Sequence, residues 1–143
     1  AVTLSAVAIR KMGIALEQNL QADMPLCYGD THLIGQVILN LLNNAAKAVE
    51  KQEGPKRIRV ASVTHKGRVI VSVADSGPGI AKELEEKVFD PFFTTSSDGS
   101  GIGLSISQRI VTDHDGKLTI GRSVWGGAEF IIDLPVEKRM HPR

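Results

Sequence analysis

The amino-acid sequence predicts an α+β fold, a two-layer α/β sandwich with helices on one face of a mostly antiparallel sheet. Three patterns support this prediction. Apolar residues recur every three or four positions over residues 33–49, which is typical of an amphipathic helix. Apolar residues alternate with other residues over 57–60 and again over 69–73, which indicates two neighbouring strands. A second pair of such runs, at 118–120 and 130–134, follows near the end of the chain.

The elements before the central helix are weaker. Residues 5–12 can form a short helix, and the alternation from Ile14 to Leu20 favours a strand. Asp30 and Thr31 are typical N-cap residues for the central helix, and Gly54-Pro55 is expected to end it. The polar face of that helix carries Gln36, Asn40, Asn43, Asn44 and Lys47.

The second half of the chain alternates strands with loops. A Lys66-Gly67 turn is expected between the first two strands. Residues 81–88 can make two helical turns, after which Pro91 and the small residues of 94–103 predict a long glycine-rich loop. A last helix begins near Leu104. Further along, Gly116 is the expected C-terminal cap of this helix, and Gly126-Gly127 the expected turn between the last two strands.

Composition places the chain among ordinary folded proteins. Its 143 residues, 42% hydrophobic and 23% charged, predict one domain over 1–143 with a core at about 14–135. A net charge of +1 gives no electrostatic reason to expect nucleic acid or an anionic membrane as a partner. Cys27 is the only cysteine, and no run is long enough for a membrane span. We therefore expect a monomeric cytoplasmic domain, cut from a longer protein because it opens at Ala1.

Four separated patches carry the candidate chemistry. In order and spacing they resemble the boxes of the histidine kinase catalytic domain, a family related to gyrase, Hsp90 and MutL ATPases, and the resemblance covers residues 31–134. It implies the Bergerat ATP-binding fold, with about five strands and three helices on one face. The patches are Asn40-Leu-Leu-Asn43-Asn44-Ala45, Asp75-Ser-Gly77-Pro-Gly79, Phe89-Asp-Pro91-Phe92-Phe93 and Gly99-Ser-Gly101-Ile-Gly103-Leu104.

The asparagine patch suggests a metal site. Asn40 and Asn44 are four positions apart and project from one face of the predicted helix, and Mg²⁺ accepts hard oxygen ligands. Taken alone, such a pair is more often a solvated polar face. The resemblance implies that Asn44 binds magnesium with Asn40 at the same site, that Lys47 contacts a phosphate, and that these three residues are catalytic.

Asp75 is the candidate for base recognition. It ends an apolar strand before a turn in which Gly77 and Gly79 can adopt positive φ and let a planar ring approach. Adenine has an exocyclic amino donor where guanine has an oxygen, so a buried carboxylate there would disfavour guanine. An ordinary Asp-Gly turn is the usual explanation of so short a motif alone. The resemblance implies adenine recognition by Asp75.

The glycine-rich loop suggests phosphate binding. Backbone N–H groups at the start of the last helix can hold phosphate oxygens, although a flexible linker is the alternative. The P-loop pattern is absent, and from Phe89 to Gly103 there is no cation, so magnesium and Lys47 must supply the charge. We expect residues 93–101 to form a lid. The nucleotide site implied by the resemblance consists of Asn44, Lys47, Asp75, Gly77, Gly79, Ile80, Phe89, Gly99, Gly101, Ile102, Gly103 and Leu104; Ile80 and Leu104 are equally explained as core.

No histidine of the chain fits a phosphoacceptor. The four histidines lie in separate segments with no metal-ligand spacing, and none is followed by an acidic residue and then a proline. The substrate histidine is therefore expected on a separate dimerisation domain that this chain lacks. The histidines are His32, His65, His114 and His141.

The leading hypothesis is the catalytic domain of a two-component sensor histidine kinase that transfers the γ-phosphate of MgATP to that histidine. Its expected partners are ATP and ADP, the histidine-bearing domain and, indirectly, a response regulator. An ATP-hydrolysing clamp is disfavoured because the gyrase, Hsp90 and MutL relatives place a glutamate where this chain has Asn40. A serine-directed anti-sigma-type kinase and a nucleotide-sensing module remain as alternatives.

Overall fold

A computed structural model of the chain describes residues 2–19, 31–90 and 103–135. These ranges contain three α-helices: α1 (Val2–Lys11), α2 (Thr31–Val49) and α3 (Gly103–Asp113). They also contain five strands: β1 (Ala15–Asn19), β2 (Arg57–His65), β3 (Arg68–Asp75), β4 (Lys117–Arg122) and β5 (Ala128–Pro135). No helix within the described ranges is long and apolar enough to cross a membrane. The predicted α+β class is confirmed.

The strands form one mixed sheet in the order β1-β2-β3-β5-β4. β1 runs parallel to β2, and all other neighbours are antiparallel. The expected turn between β2 and β3 is confirmed, since Lys66 and Gly67 have φ of 50° and 78°, as in the tight turns that match strand twist. The pairing of β3 with β5 places Ala74 opposite Glu129, so the end of β3 lies beside the start of β5.

The core lies between one face of this sheet and the helices. Every second residue of β3 and β5 points into it, and α2 contributes the apolar stripe that its three- and four-residue spacing predicts. Burial of this stripe explains why α2 forms, because most helix stability in proteins comes from packing. The largest fully buried side chains are Val37, Leu41, Leu42, Val49, Ile58, Val60, Val69, Val73, Val111, Phe130, Ile132 and Leu134.

Two element boundaries differ from the sequence-based prediction. α2 ends at Val49, before Gly54-Pro55, because the amides of Glu50 and Gln52 turn back to the carbonyls of Lys47 and Val49. The two helical turns expected at 81–88 are separate 3₁₀ turns, Lys82–Leu84 and Lys87–Phe89. Such short tight turns are common connectors.

The cap of α3 is also different, because Asp115 and not Gly116 adopts the left-handed conformation, with φ of 61°. The prediction that Gly116 supplies the flexible cap is therefore wrong. The amide of Gly116 donates to the carbonyl of Val111 over 2.9 Å, which closes the helix end. Glycine is needed there for space, since a Cβ at position 116 would lie 2.6 Å from both the carbonyl oxygen of Asp133 and Cδ2 of Leu134.

Candidate functional site

Asp75 stands at the end of β3 with its side chain almost wholly inside the protein, at 1% exposure. Its Oδ1 accepts hydrogen bonds from the amides of Gly77, over 2.8 Å, and Ala128, over 3.3 Å. The main-chain oxygen of Asp75 accepts another from the hydroxyl of Ser123, over 2.6 Å. Asp75 is thus held by the turn that follows β3, through Gly77, and by the neighbouring end of β5 and its preceding connection, through Ala128 and Ser123.

The second carboxylate oxygen of Asp75, Oδ2, accepts no hydrogen bond from the described part of the chain, and it is not wholly buried, because every wholly buried side-chain oxygen there has a partner. Both amide hydrogen bonds end on Oδ1, and no described residue donates to Oδ2. Burial raises the pKa of this carboxyl above its ordinary value, while the Gly77 and Ala128 hydrogen bonds act in the opposite direction. An acceptor with so little access to water is poorly solvated, and a ligand N–H group can pair with it.

The two glycines that follow Asp75 serve different purposes. Gly79 has φ of 78°, as expected, and a Cβ there would lie 2.9 Å from the carbonyl oxygen of Gly126. Gly77 does not adopt positive φ, so that expectation is wrong for it. Gly77 is instead required by close packing, because its Cβ would lie 2.8 Å from the carbonyl oxygen of Ala48 on α2. The turn therefore packs tightly between α2 and the β4–β5 connection.

A cavity of about 260 Å³ adjoins this turn. Its wall includes Gly79 and Ile80, together with the glycines of the β4–β5 connection. Charged groups are supplied by Glu85 and Arg122. The backbone of the predicted base-binding turn thus borders open space on this side.

Asn40 of α2 is held by α3. Its Nδ2 donates a hydrogen bond to Oγ of Ser107 over 2.8 Å, and Ser107 is buried, at 2% exposure. A Cβ at Gly103, the first residue of α3, would lie 2.9 Å from both Nδ2 and Oδ1 of Asn40. The amide of Asn40 therefore lies directly against the first turn of α3, which joins the asparagine patch to the start of the helix after the glycine-rich loop.

A groove of about 390 Å³ runs between α2 and α3 beside Asn40. Its apolar lining includes Leu33 and Ile106, which are 38% and 51% exposed. Asn44 is half-buried and Lys47 exposed on the same helix as Asn40. The structure therefore places Asn40 and Gly103 together, whereas Asp75 stands at the end of β3. The groove is lined by Leu33, Gln36, Val37, Asn40, Gly103, Ile106, Ser107 and Ile110.

Ile80, Phe89 and Leu104 are partly buried against the hydrophobic core. Phe89 meets Phe130 edge to face, with ring centroids 6.4 Å apart and an interplanar angle of 87°. All three residues therefore contribute to the core, and their remaining exposed surface is available for contact with a ligand. Phe89 thereby anchors the chain just before the glycine-rich loop to β5.

Several predicted residues lie outside the described ranges. Gly99, Gly101 and Ile102 of the expected phosphate loop are among them, as is the expected lid at 93–101. Among the described histidines, His65 is exposed on β2, and His114 is buried with Nδ1 2.7 Å from the carbonyl oxygen of Ile110. No group of three or more His, Cys, Asp and Glu residues in the described part of the chain could hold a metal ion.

Two serines of the site were missed by sequence reasoning. Ser107 contacts Asn40, and its position one turn after Gly103 on the same helical face was the available indication. Ser123 contacts Asp75, but this contact depends on the pairing of β3 with β5, which no local pattern reveals. Gly126 and Gly127 lie in the connection between β4 and β5, as expected, and Gly127 is required for space as well, because its Cβ would overlap the carbonyl of Asp75 and lie 2.5 Å from Oδ1.

Comparison with known proteins identifies the same family as the sequence patches. A family model described as histidine kinase-, DNA gyrase B- and HSP90-like ATPase matches residues 29–138. The C4-dicarboxylate transport sensor protein DctS of Rhodobacter capsulatus is 34% identical over 145 residues, which cover 99% of this chain and 22% of DctS. The signal transduction histidine-protein kinase AtoS of Escherichia coli is 40% identical over 107 residues, 75% of this chain and 17% of AtoS. The chain thus spans about a fifth of the length of these curated relatives.

Solved structures of histidine kinases have a similar fold over most of this chain. The catalytic domain of histidine kinase ThkA is 37% identical, with a TM-score of 0.83 over 94% of this chain and 86% of that domain. The mycobacterial sensor histidine kinase MprB is 28% identical, with a TM-score of 0.79 over 95% of this chain and 93% of that structure. An ATPase domain of this family binds ATP. The chain therefore belongs to the histidine kinase-, DNA gyrase B- and HSP90-like ATPases, and within them it is the catalytic domain of a histidine kinase.

Proposed function

We propose that this domain binds MgATP and transfers the γ-phosphoryl group to a histidine on a separate dimerisation domain of the same protein. The observation that best supports this proposal is the burial and hydrogen bonding of Asp75. Its carboxyl is 1% exposed, Oδ1 is saturated by two amides, and no described residue donates to Oδ2. The exocyclic amino group of adenine supplies the missing donor, whereas guanine presents an oxygen at that edge and would leave a buried acceptor unpaired.

The phosphates lie toward α2 and α3 in this proposal. Asn44 and Asn40 offer amide oxygens, which are hard ligands that fit Mg²⁺ when phosphates and waters complete its shell. Because Nδ2 of Asn40 is engaged by Ser107, Oδ1 is the atom left for a ligand. Magnesium, when bound, neutralises charge on the phosphates. Lys47, exposed one turn beyond Asn44, contributes a cation, and the first turn of α3 at Gly103 contributes N–H groups, joined by Gly99, Gly101 and Ile102.

The acceptor histidine is itself the nucleophile. Its imidazole nitrogen forms a bond to the γ-phosphorus while the bond from that phosphorus to the β–γ bridging oxygen breaks, and ADP leaves with the electron pair. The domain therefore contributes position and charge, and it needs no strong general base. The amide of Asn40, where a water-activating ATPase of this superfamily has a carboxylate, suits this role.

The groove between α2 and α3 is our proposed contact for the histidine-bearing domain. Leu33 and Ile106 expose apolar surface there beside Asn40, so a partner seated on them would reach the γ-phosphate end of the nucleotide. Histidine kinase ThkA has been solved in complex with the response regulator protein TrrA. We propose that a response regulator receives the phosphoryl group from the histidine, and that this monomeric domain acts in the cytoplasm where ATP is available.

Melting of the domain with different nucleotides tests the proposal. ATP with Mg²⁺ at 100 times its dissociation constant should stabilise the fold by about 2.7 kcal/mol. GTP at the same concentration should give a smaller rise in melting temperature, and chelation of Mg²⁺ should reduce the rise with ATP. Equal rises with ATP and GTP would contradict the role of Asp75, and a rise with ATP indifferent to Mg²⁺ would contradict that of Asn40 and Asn44.

A further inference from the structure

The connection between β4 and β5, together with the first residue of β5, contacts Asp75 in three places. The Ser123 hydroxyl donates to the main-chain oxygen of Asp75 over 2.6 Å, and the amide of Ala128 donates to Oδ1. Gly127 packs so closely that a Cβ there would lie 2.5 Å from Oδ1 and 2.8 Å from the amide nitrogen of Gly77. The direction in which the free oxygen Oδ2 points is therefore set by this connection as well as by β3.

Ser123 also makes hydrogen bonds to other residues of the same connection. Its hydroxyl oxygen accepts from the amides of Gly127, over 3.0 Å, and Trp125, over 3.2 Å, while its carbonyl accepts from Gly126 over 3.0 Å. The amide of Ser123 donates to the carbonyl of Gly127 over 2.8 Å. One hydroxyl, 5% exposed, thus links the turn to Asp75 through a donor and two acceptor bonds.

The turn is also fixed from outside. The guanidinium of Arg59 on β2 lies 5.1 Å from the ring centroid of Trp125, and Nε of Arg59 is 2.9 Å from Oε1 of Glu17 on β1. Both contacts are partly exposed, so each is worth little alone. They nevertheless link Trp125, at the tip of the connection, to β2 and β1, so the turn that contains Ser123 is held in place.

We propose that Ser123 is a positioning residue for base specificity: it holds Asp75 so that Oδ2 faces the nucleobase. This inference rests on the proposed function, because it assumes that Asp75 reads adenine. Without the hydroxyl, the amides of Gly127 and Trp125 and the carbonyl of Asp75 lose their partner in a buried place. The turn must then relax, and Oδ2 loses its fixed direction. Groups that hold the triphosphate lie on α2 and α3, so they are unaffected.

The test compares Ser123→Ala with Ser123→Thr, which keeps a hydroxyl, and with Thr119→Ala, which removes an exposed hydroxyl from β4. Dissociation constants are measured for MgATP, MgGTP and magnesium tripolyphosphate. In Ser123→Ala, ATP binding should weaken about tenfold, with GTP and tripolyphosphate unchanged, so the preference for ATP falls. Ser123→Thr should recover at least part of the preference, and Thr119→Ala should match the wild type.

Three outcomes overturn the inference. An unchanged ATP preference in Ser123→Ala shows that the hydroxyl does not position Asp75. An equal loss of tripolyphosphate binding shows a general structural role. If Ser123→Ala does not fold, Ser123→Cys, whose thiol is a weaker hydrogen-bonding group, must show a reduced preference or the inference fails. Failure of the proposed function is distinguished by Asp75→Asn: if this variant keeps a wild-type preference for ATP, Asp75 does not read the base at all.

Discussion

Nδ2 of Asn40 on α2 donates to Oγ of Ser107 on α3, over 2.8 Å. The two residues join the helix of the asparagine patch to the helix that follows the glycine-rich loop. Because the hydroxyl of Ser107 occupies the donor end of the amide, the oxygen end of Asn40 remains for the metal that we propose. Ser107 would then orient the proposed metal ligand, Asn40, without being a ligand itself.

Ser107→Ala should weaken the magnesium-dependent part of ATP binding. Loss of one hydrogen bond to a half-buried amide is worth about 1 kcal/mol, and it leaves Asn40 free to rotate. Titration of ATP with Mg²⁺ and with a chelator measures the effect. Affinity should fall only with Mg²⁺ present, and Thr112→Ala, which removes an exposed hydroxyl from α3, is the control. An equal loss under both conditions would show that Ser107 only supports the fold.

Asp75→Asn should stabilise the unliganded domain at neutral pH. Because burial raises the pKa of Asp75 above its ordinary 3.8, the folded state binds this proton more tightly than the unfolded state. The resulting stability is fully present below pH 3.8 and is lost as pH rises through the folded-state pKa. Melting of both proteins from pH 7 downward should therefore show the advantage of asparagine shrinking as the pH falls.

The same variant should lose its response to ATP. Asparagine can keep an oxygen for Gly77 and Ala128, but its Nδ2 then occupies the Oδ2 position and meets the adenine amino group donor to donor. The rise in melting temperature with MgATP should be largely abolished. A full rise in Asp75→Asn would refute adenine recognition at this residue, whatever its stability.

Asp115→Gly and Gly116→Ala should change stability in opposite directions. Asp115 has φ of 61°, which glycine adopts more easily, so Asp115→Gly should stabilise the domain by about 0.5–1 kcal/mol. Gly116→Ala should destabilise it by about 1–3 kcal/mol, because its Cβ would overlap Asp133 and Leu134. Urea unfolding measures both. Stabilisation by Gly116→Ala would contradict the close contact with Asp133 and Leu134, and destabilisation by Asp115→Gly would contradict the left-handed cap at 115.

The isolated domain should not phosphorylate its own histidines. His114 is buried on α3 with its ring against the carbonyl of Ile110, and His65 is exposed at the end of β2. Incubation with labelled MgATP should give no acid-labile phosphate, and adding a histidine-bearing dimerisation domain from the same protein should produce it on that domain. Acid-labile phosphate on any of the domain's own histidines would contradict the proposal that the acceptor histidine lies on a separate domain.

The sequence predicted most of what depends on local pattern. The helix over 33–49 was predicted from the spacing of its apolar residues, and the hairpin at Lys66-Gly67 from its turn residues. Both predictions are confirmed. The cap of α3 was misassigned because glycine is the usual left-handed residue, whereas here the space beside Asp133 requires Gly116 one position later.

Contacts between distant segments were beyond the sequence. Ser107 has only a weak indication, its position one turn after Gly103, and Ser123 has none, since each makes its contact only when α3 packs on α2 or when β5 pairs with β3. The role of Gly77 was likewise misjudged, because its neighbour Ala48 belongs to another element. The orientation of a candidate site residue such as Asp75 is thus decided by tertiary packing, even where the sequence motif that contains it is plain.

The register that sets Ala74 opposite Glu129 has a consequence for how this domain tolerates change. The chain leaves the sheet after Asp75 and re-enters it with β4 at the outer edge, and β5 then takes the position beside β3. The two ends of the segment 76–127 therefore lie side by side. Insertions or deletions within the glycine-rich loop need not shift the pairing of any strand. A loop of different length could therefore be introduced in the laboratory while the carboxylate of Asp75 keeps its place.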